Sequence, residues 1–175
     1  MNRPTLALVT TALLAVSACQ GVPSLSSGLG QPVAVVAVPA STAACRVVDG
    51  RADARCTPGV INPQVTQADI ASTVCRSGWT ATVRPSTSYT GPLKLRQMAM
   101  YGEPGPASLY EEDHLVPLSA GGSPTDPRNL FPEPYAGRGA HTKDTEESSL
   151  RRAVCGGRLT LAEARAQIVR DWVRP

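Results

Sequence analysis

Residues 111–134 read EEDHLVPLSAGGSPTDPRNLFPEP and place one of the chain's two histidines in a cluster of acidic residues. Periodicity and turn residues predict four elements here: a strand at 109–118, a loop at 121–127, a second short strand at 129–131 and a helix at 140–154. Strand, loop, strand and helix form a small ββα unit. It would contain both histidines, His114 and His141.

Four further elements are predicted around this unit: a short helix from Thr66 to Cys75, a strand at 79–83, a helix capped by Thr90 and ended by Gly102, and a last helix opened by Thr160. The last helix begins with a capping box and carries an apolar stripe formed by Leu161, Ala164, Ile168 and Trp172. We therefore expect an α+β fold. It would be a mainly helical small domain built around the ββα unit and braced by disulfides.

The beginning of the chain is typical of an exported protein. Residues 1–18 predict a signal peptide, because one basic residue precedes an apolar run too short to cross a bilayer. The run ends in Val-Ser-Ala before Cys19, which resembles the lipidation site of bacterial lipoproteins; an ordinary signal peptide with a chance cysteine is the alternative. Residues 19–44 predict a flexible tether, although the stretch 33–38 could be an edge strand. Residues 45–175 would form one domain.

Four cysteines remain within the expected domain, and an even number in an exported protein suggests disulfides. Three pairings are possible. We favour Cys45 with Cys56, which closes a short loop, and Cys75 with Cys155, which joins an early helix to a late one. None of these cysteines has the C-x-x-C spacing typical of a structural zinc site.

The charge of the chain gives a weak indication of its partners. The formal net charge is +3, and all but two of the 17 basic residues are Arg. Arginine suits phosphate binding, although composition alone explains its frequency equally well. The few aromatic residues do not support a stacking surface for single strands. The basic residues that we consider as phosphate contacts are Arg84, Lys94, Arg96 and Arg128.

The residue types in the ββα unit suit hydrolysis of a phosphodiester. A neutral His114 imidazole can take a proton from water, and a divalent cation can bind a phosphate oxygen. The Asn129 amide can hold the histidine loop. Asp113 can share one site with His114 only if the strand twists or ends there, because neighbours on a strand point to opposite faces. The predicted helix adds four polar residues, of which Lys143 and Glu147 can pair: His141, Lys143, Asp144 and Glu147.

The combination resembles the His-Asn-His (HNH) endonucleases, also called ββα-metal nucleases, and in particular a branch of exported bacterial HNH proteins. The resemblance covers nearly all of residues 56–173. Its most specific part is Asp113-His114, Gly121-Gly122 and Arg128-Asn129-Leu130. Supporting pieces are Cys56-Thr57-Pro58-Gly59, Gly78-Trp79-Thr80, Val83-Arg84-Pro85, Lys143-Asp144 with Glu147, Val154-Cys155 and Asp171-Trp172.

The resemblance implies a role for each part of this unit. Asp113 would be a metal ligand, His114 the general base and Asn129 the residue that orients the histidine loop. The second ligand would come from His141, Asp144 or Glu147, and Gly139 departs from the polar residue expected before the helix. The cofactor would be a divalent ion; we favour Mg²⁺, with Mn²⁺ or Zn²⁺ as alternatives.

We therefore expect a metal-dependent endonuclease that cuts DNA, with RNA as an alternative substrate, through contacts to the backbone rather than to bases. It would act as a monomer in the bacterial cell envelope and touch the membrane only through a lipid on Cys19. The alternative is a non-catalytic envelope lipoprotein that uses the same frame to bind nucleic acid or a partner. A third possibility is hydrolysis of a different phosphodiester or phosphoester.

Overall fold

The computed structural model describes residues 44–171, which combine helices with one small two-stranded antiparallel sheet. The elements in chain order are α1 (Trp79–Val83), α2 (Thr87–Tyr101), β1 (Tyr110–His114), β2 (Leu130–Pro134), α3 (Ala140–Cys155) and α4 (Leu161–Asp171). The expected α+β class with disulfides is confirmed. The predicted signal peptide, Cys19, all but the last residue of the tether and Trp172 lie outside the described residues.

The first strand is shorter than predicted, and the second strand is shifted towards the C-terminus. β1 pairs with β2 from Tyr110 opposite Pro134 to His114 opposite Leu130. The predicted strand to residue 118 ends early because the Asn129 side chain satisfies the backbone of Val116. The second strand begins one residue later than expected and continues to Pro134. Its prolines are tolerated because a two-stranded sheet leaves an outer edge unpaired.

Residues 79–83 form a helix, so the predicted strand is wrong. Gly78 lies before it in the left-handed region at φ 75°, and the Thr82 hydroxyl donates to Trp79 O at 2.6 Å. The threonines and Val83 favour strands, but this propensity is a weak prior that tertiary packing overrides. Trp79 is buried in the main core, which fixes the segment as a helix.

Two other predicted helices have different bounds. The expected helix from Thr66 to Cys75 is a single 3₁₀ turn, Gln67–Asp69, followed by further turns. The Thr66 hydroxyl donates to the Asp69 carboxylate at 2.6 Å instead of capping the backbone. α2 begins at Thr87 rather than at Thr90, so that Pro92 lies inside the helix. Proline there removes one helical hydrogen bond.

The last two helices agree closely with the predictions. α3 extends one residue beyond the expected end, and Gly139 precedes it because a Cβ there would lie 1.7 Å from Pro134 O. Close backbone approach thus explains the glycine at this position. α4 opens with the predicted capping box, in which Glu163 accepts from Thr160 N at 2.7 Å and Thr160 accepts from Glu163 N at 3.2 Å.

A main hydrophobic core joins residues from Val65 to Ile168, and the described chain also contains two disulfides, one of which, Cys75–Cys155, packs against this core. Members of this core are Val65, Val74, Trp79, Val116, Ala120, Leu150, Val154, Leu161, Ala164 and Ile168. Cys45 is bonded to Cys56 and Cys75 to Cys155, with Cα–Cα distances of 6.2 and 5.5 Å. This is the pairing favoured from the sequence. Disulfides are compatible with an extracellular or envelope location. Within residues 44–171, every helix is too short or too polar to cross a membrane.

Candidate functional site

His114 is the last residue of β1, and its imidazole is held in one tautomer. The side chain is 3% exposed, and its Nε2 lies 3.0 Å from Pro124 O. Because a carbonyl oxygen only accepts, Nε2 carries the proton and Nδ1 keeps its lone pair. Burial lowers the pKa of His114 below its ordinary value of 6.5, and the charges of Arg84 and Lys143 act in the same direction. The imidazole is therefore neutral at neutral pH and can accept a proton.

A polar cavity of about 350 Å³ lies beside this imidazole. Residues of the first half of α2, three residues of β1, the segment before α2 and Tyr135 form its wall. Its lining residues are Arg84, Pro85, Thr87, Thr90, Gly91, Lys94, Glu111, Glu112, His114 and Tyr135. A volume of this size is at the lower end of the range for small-molecule sites. It suits one nucleotide unit or phosphate group better than a large ligand.

Arg84 is the cationic group of the cavity that is available to a ligand. It follows α1, its side chain is exposed, and within residues 44–171 it has no hydrogen bond or ion pair through the guanidinium. Its charge lowers the pKa of both His114 and Glu111, so it lies near both groups. Arg84 also lines a second cavity of about 250 Å³, which contains Glu147.

The other predicted phosphate contacts have different positions. Lys94 lines the cavity, but its ammonium donates to Ala107 O at 2.9 Å and to Tyr110 O at 3.0 Å. Arg128 is exposed and forms a bidentate ion pair with Asp126, at 2.7 and 3.0 Å. Arg96 is exposed, and neither arginine lines the His114 cavity. Of the two predicted contacts that line the cavity, Arg84 is therefore the one whose cationic group is not already bonded to backbone carbonyls.

Asn129 connects the two sides of the loop that follows His114. Its side chain is fully buried, its Oδ1 accepts from Val116 N at 2.9 Å, and its Nδ2 donates to Val116 O at 3.0 Å and Ser123 O at 2.9 Å. A Cβ at Gly122 would lie 1.8 Å from Val116 O. The glycine at position 122 therefore allows the loop to close over the Asn129 amide.

Replacing Asn129 with alanine is expected to destabilise the fold by about 2–4 kcal/mol, because backbone groups of Val116 and Ser123 lose their buried partner. Urea unfolding followed by circular dichroism measures this loss. Asn62→Ala is the matched control: Asn62 accepts one hydrogen bond from Gln64 N in an exposed turn. It should change stability by less than about 1 kcal/mol. Equal losses in the two variants would contradict the role given to Asn129.

Lys143 is the buried centre of an ionic cluster between β1 and α3, in which the Asp113 and Glu147 side chains are 15% and 20% exposed. Its side chain is 0% exposed, and its Nζ lies 2.5 Å from Asp113 Oδ2, 2.5 Å from Glu147 Oε1 and 2.8 Å from His114 O. Burial alone would lower the pKa of Lys143, but the charges of Asp113 and Glu147 outweigh burial and raise it. The sequence predicted the pair with Glu147. It did not predict the contacts with β1.

Glu133 is a member of this cluster that the sequence reasoning missed. It is fully buried on β2, and neither of its oxygens accepts a hydrogen bond from the described residues. Burial raises the pKa of Glu133 to about 10, so the group is protonated at neutral pH and can donate to Asp113. Glu133 lies opposite Glu111 in the sheet, and cross-strand partners share one face. Residues 111 and 113 also lie on the same face of β1, so this alternation was the signal that could have placed Glu133 near Asp113.

The four predicted metal ligands are not gathered into one coordination sphere. Asp113 and Glu147 meet at the Lys143 ammonium. His141 is exposed and stacks on Tyr135 at a ring distance of 5.5 Å, and Asp144 is exposed. In the described part of the chain, no group of three or more His, Cys, Asp or Glu side chains is arranged to hold a metal ion. As folded, this set does not fit a divalent ion.

Asp113 and His114 face different surroundings although they are neighbours. The Asp113 carboxylate contacts Lys143, whereas the imidazole contacts Pro124 and lines the polar cavity, which Asp113 does not line. Only the backbone carbonyl of His114 contacts Lys143. The candidate site therefore has two parts: a cavity with the imidazole, and an ionic cluster behind the strand.

Comparisons with known proteins do not extend this description. No protein-family model, no curated protein and no solved structure matches the chain at a significant level. What the site can do therefore follows from its own geometry.

Proposed function

We propose that this protein hydrolyses phosphodiester bonds of DNA outside the cytoplasm, with His114 as the general base. The observation that carries the proposal is the buried, neutral imidazole with a fixed Nε2 proton, beside a polar cavity that an unpaired arginine lines. A base of this kind must be unprotonated at working pH and within reach of a water molecule. RNA is a second candidate substrate, because both polymers carry the phosphodiester on which these groups would act.

The reaction assigns one task to each of these groups. His114 Nδ1 takes a proton from water, and the resulting hydroxide forms a bond to phosphorus. The bond from phosphorus to the leaving 3′-oxygen breaks, and solvent supplies the proton that this oxygen needs. Arg84 binds the phosphate oxygens and neutralises the charge that grows on them. Asn129 keeps the loop after His114 closed, which fixes the carbonyl of Pro124 near the ring.

The order of elements supports the finer proposal that β1, β2 and α3 form a ββα-metal (HNH) finger. The histidine ends the first strand, the asparagine precedes the second, and the asparagine amide bonds the intervening loop. The predicted metal ligands do not converge on one point. No step is therefore assigned to a metal ion. The requirement for Mg²⁺, Mn²⁺ or Zn²⁺ is a separate part of the proposal with its own test.

The location proposed for the protein is the bacterial cell envelope. The two disulfides are compatible with an oxidising compartment. A lipid on Cys19 and a tether would hold the domain at a membrane as a monomer. Labelling cells with a radioactive or clickable fatty acid tests the anchor: Cys19→Ala should lose the label, and a soluble, unlabelled wild-type protein would contradict it.

Nicking of supercoiled plasmid by the purified domain tests the function. The wild-type protein should convert supercoiled DNA to relaxed and linear forms, and parallel reactions with RNA and with a short aryl phosphodiester identify the substrate class. Each reaction is run with EDTA alone and after addition of Mg²⁺, Mn²⁺ or Zn²⁺. Absence of turnover on every diester under all these conditions would contradict the proposed function.

Arg84→Ala is expected to lower DNA cleavage by about tenfold to a hundredfold, because a charge-assisted contact to phosphate is worth about 1.5–3 kcal/mol. The loss should appear mainly in KM if Arg84 binds the ground-state phosphate and in kcat if it binds the transition state. Arg128→Ala is the matched control, since Arg128 is also exposed but is paired with Asp126 away from the cavity. Equal losses in both variants would contradict the proposed role of Arg84 in binding the phosphate.

Binding without cleavage is the alternative function. The observation that favours it is the ionic cluster, in which Lys143 holds the carboxylates that the sequence assigned to a metal. Fluorescence anisotropy with a labelled DNA duplex distinguishes the two functions. Tight, salt-dependent binding without any cutting would favour a nucleic-acid-binding lipoprotein.

A further inference from the structure

Lys143 uses its whole hydrogen-bonding capacity within one buried cluster. An ammonium has three N–H donors and no acceptor. Its Nζ contacts are Asp113 Oδ2, Glu147 Oε1 and His114 O, all within 2.8 Å, and the side chain is 0% exposed. The cluster therefore gives the ammonium one partner for each proton. Few lysines in proteins are fully buried, and those that are require such pairing.

The partners of Lys143 are the residues from which a metal site would have to be built. Asp113 and Glu147 are the two predicted ligands that the fold brings together, and each gives one oxygen to the ammonium. A Mg²⁺ ion binds oxygen at about 2.0–2.1 Å, so an ion on these same oxygens would lie very close to Nζ. The repulsion between a divalent ion and a buried ammonium would be large. Only one of the two cations can occupy this position.

We infer that the Lys143 ammonium is a resident cation, which takes the place between Asp113 and Glu147 that a divalent ion would otherwise occupy. The ammonium also holds the carbonyl of His114 and so fixes the end of β1. By holding this carbonyl, Lys143 would also position the imidazole for turnover, and only that consequence rests on the proposed function. A divalent ion that takes part in the reaction binds elsewhere, without these two carboxylates.

Removing the ammonium should create the metal site that it now prevents. In Lys143→Met, the carboxylates of Asp113 and Glu147 lose their cation while the side chain keeps a similar length. Breaking a buried ion pair by removing one partner leaves uncompensated charge, which a divalent ion in solution can neutralise. Asp113 and Glu147 would give this ion two carboxylates, and water molecules would complete its coordination. Such an oxygen-rich set suits Mg²⁺ or Mn²⁺.

Binding of Mn²⁺ to the purified protein, followed by electron paramagnetic resonance of the free ion, tests this inference. Wild type and Asp113→Asn should give the same binding curve, because Asp113 is already held by Lys143. Lys143→Met should bind one Mn²⁺ at least ten times more tightly than wild type, and Mn²⁺ should raise its melting temperature. Arg128→Met is the control, since it removes a cation that is paired with one carboxylate, Asp126, away from this cluster, and its Mn²⁺ binding should equal that of wild type.

Two outcomes would overturn the inference. One is a wild-type protein that binds one Mn²⁺ and loses it in Asp113→Asn; the other is a folded Lys143→Met with wild-type affinity. If Lys143→Met fails to fold, the comparison of wild type with Asp113→Asn still decides. The experiment uses no DNA, so a protein without nuclease activity can still satisfy it. If the protein is a nuclease and its metal ion binds at Asp113, the proposed function stands and the inference about Lys143 is wrong.

Discussion

Replacing His114 with alanine should lower DNA cleavage by about 10²- to 10⁴-fold, which is the usual contribution of a general base. The reason is that Nδ1 of this ring is the group that can accept the proton of the attacking water: Nε2 is used on Pro124 O, and burial keeps the ring neutral. Initial rates of plasmid nicking under single-turnover conditions measure the loss. A variant that retains more than about a tenth of the wild-type rate would contradict a general base at this position.

The second histidine provides the matched control for this measurement. His141→Ala removes an exposed imidazole that stacks on Tyr135 and has no contact with the ionic cluster. Its rate should stay within about twofold of wild type, and both variants should keep the wild-type circular dichroism spectrum. Since the resemblance also names His141 as a candidate metal ligand, a large loss in His141→Ala would instead restore that assignment.

Removing the disulfide between Cys75 and Cys155 should destabilise the domain by about 4 kcal/mol, because this bond closes a loop of 80 residues in the unfolded chain. For a domain of this size, that loss corresponds to a fall of about 15 °C in Tm. Differential scanning calorimetry of the Cys75→Ser, Cys155→Ser double variant measures it. The bond joins the turn before α1 to the end of α3, so its loss should loosen the main core.

The other disulfide is the internal comparison. Cys45 and Cys56 are only 11 residues apart, so the same chain-entropy relation gives about 3 kcal/mol for their removal. The Cys45→Ser, Cys56→Ser variant should therefore melt above the first double variant. Reductant should lower the wild-type Tm further than either double substitution does. An unchanged wild-type Tm in reductant would contradict both bonds.

The shift of the strand boundaries shows where local patterns stop being sufficient. The sequence after His114 is apolar and reads as strand to residue 118, yet the chain leaves the sheet after His114. Asn129 supplies the hydrogen bonds that a strand partner would have given to Val116. A side chain that replaces backbone pairing acts across 13 residues, and no window of alternating residues contains that information. The helix at 79–83 has the same origin, because the core position of Trp79 decided it.

The ionic cluster shows a second limit of prediction from sequence patterns. The pair of Lys143 with Glu147 follows from helical spacing alone, since residues four apart lie on one face. The contact with Asp113 joins residues 30 apart, and Glu133 joins the cluster through its place on the neighbouring strand. From the sequence, the same carboxylates suited a metal ion equally well. Only the distances of the Asp113 and Glu147 carboxylates to Lys143 Nζ show that the cation they contact is the lysine ammonium.

Of three possible cysteine pairings, the sequence favoured the one that the structure has. By itself, the sequence determined the order strand, loop, strand and helix, and the placement of a histidine and an asparagine around one loop. These features depend on periodicity, turn residues and spacing, which are local properties of a chain. Tertiary structure alone decided that the His114 imidazole and the Asp113 carboxylate face different surroundings, and that a buried lysine lies between the carboxylates. Those facts depend on which side chains meet after distant segments pack, and the desolvation that accompanies packing decides which charges they keep.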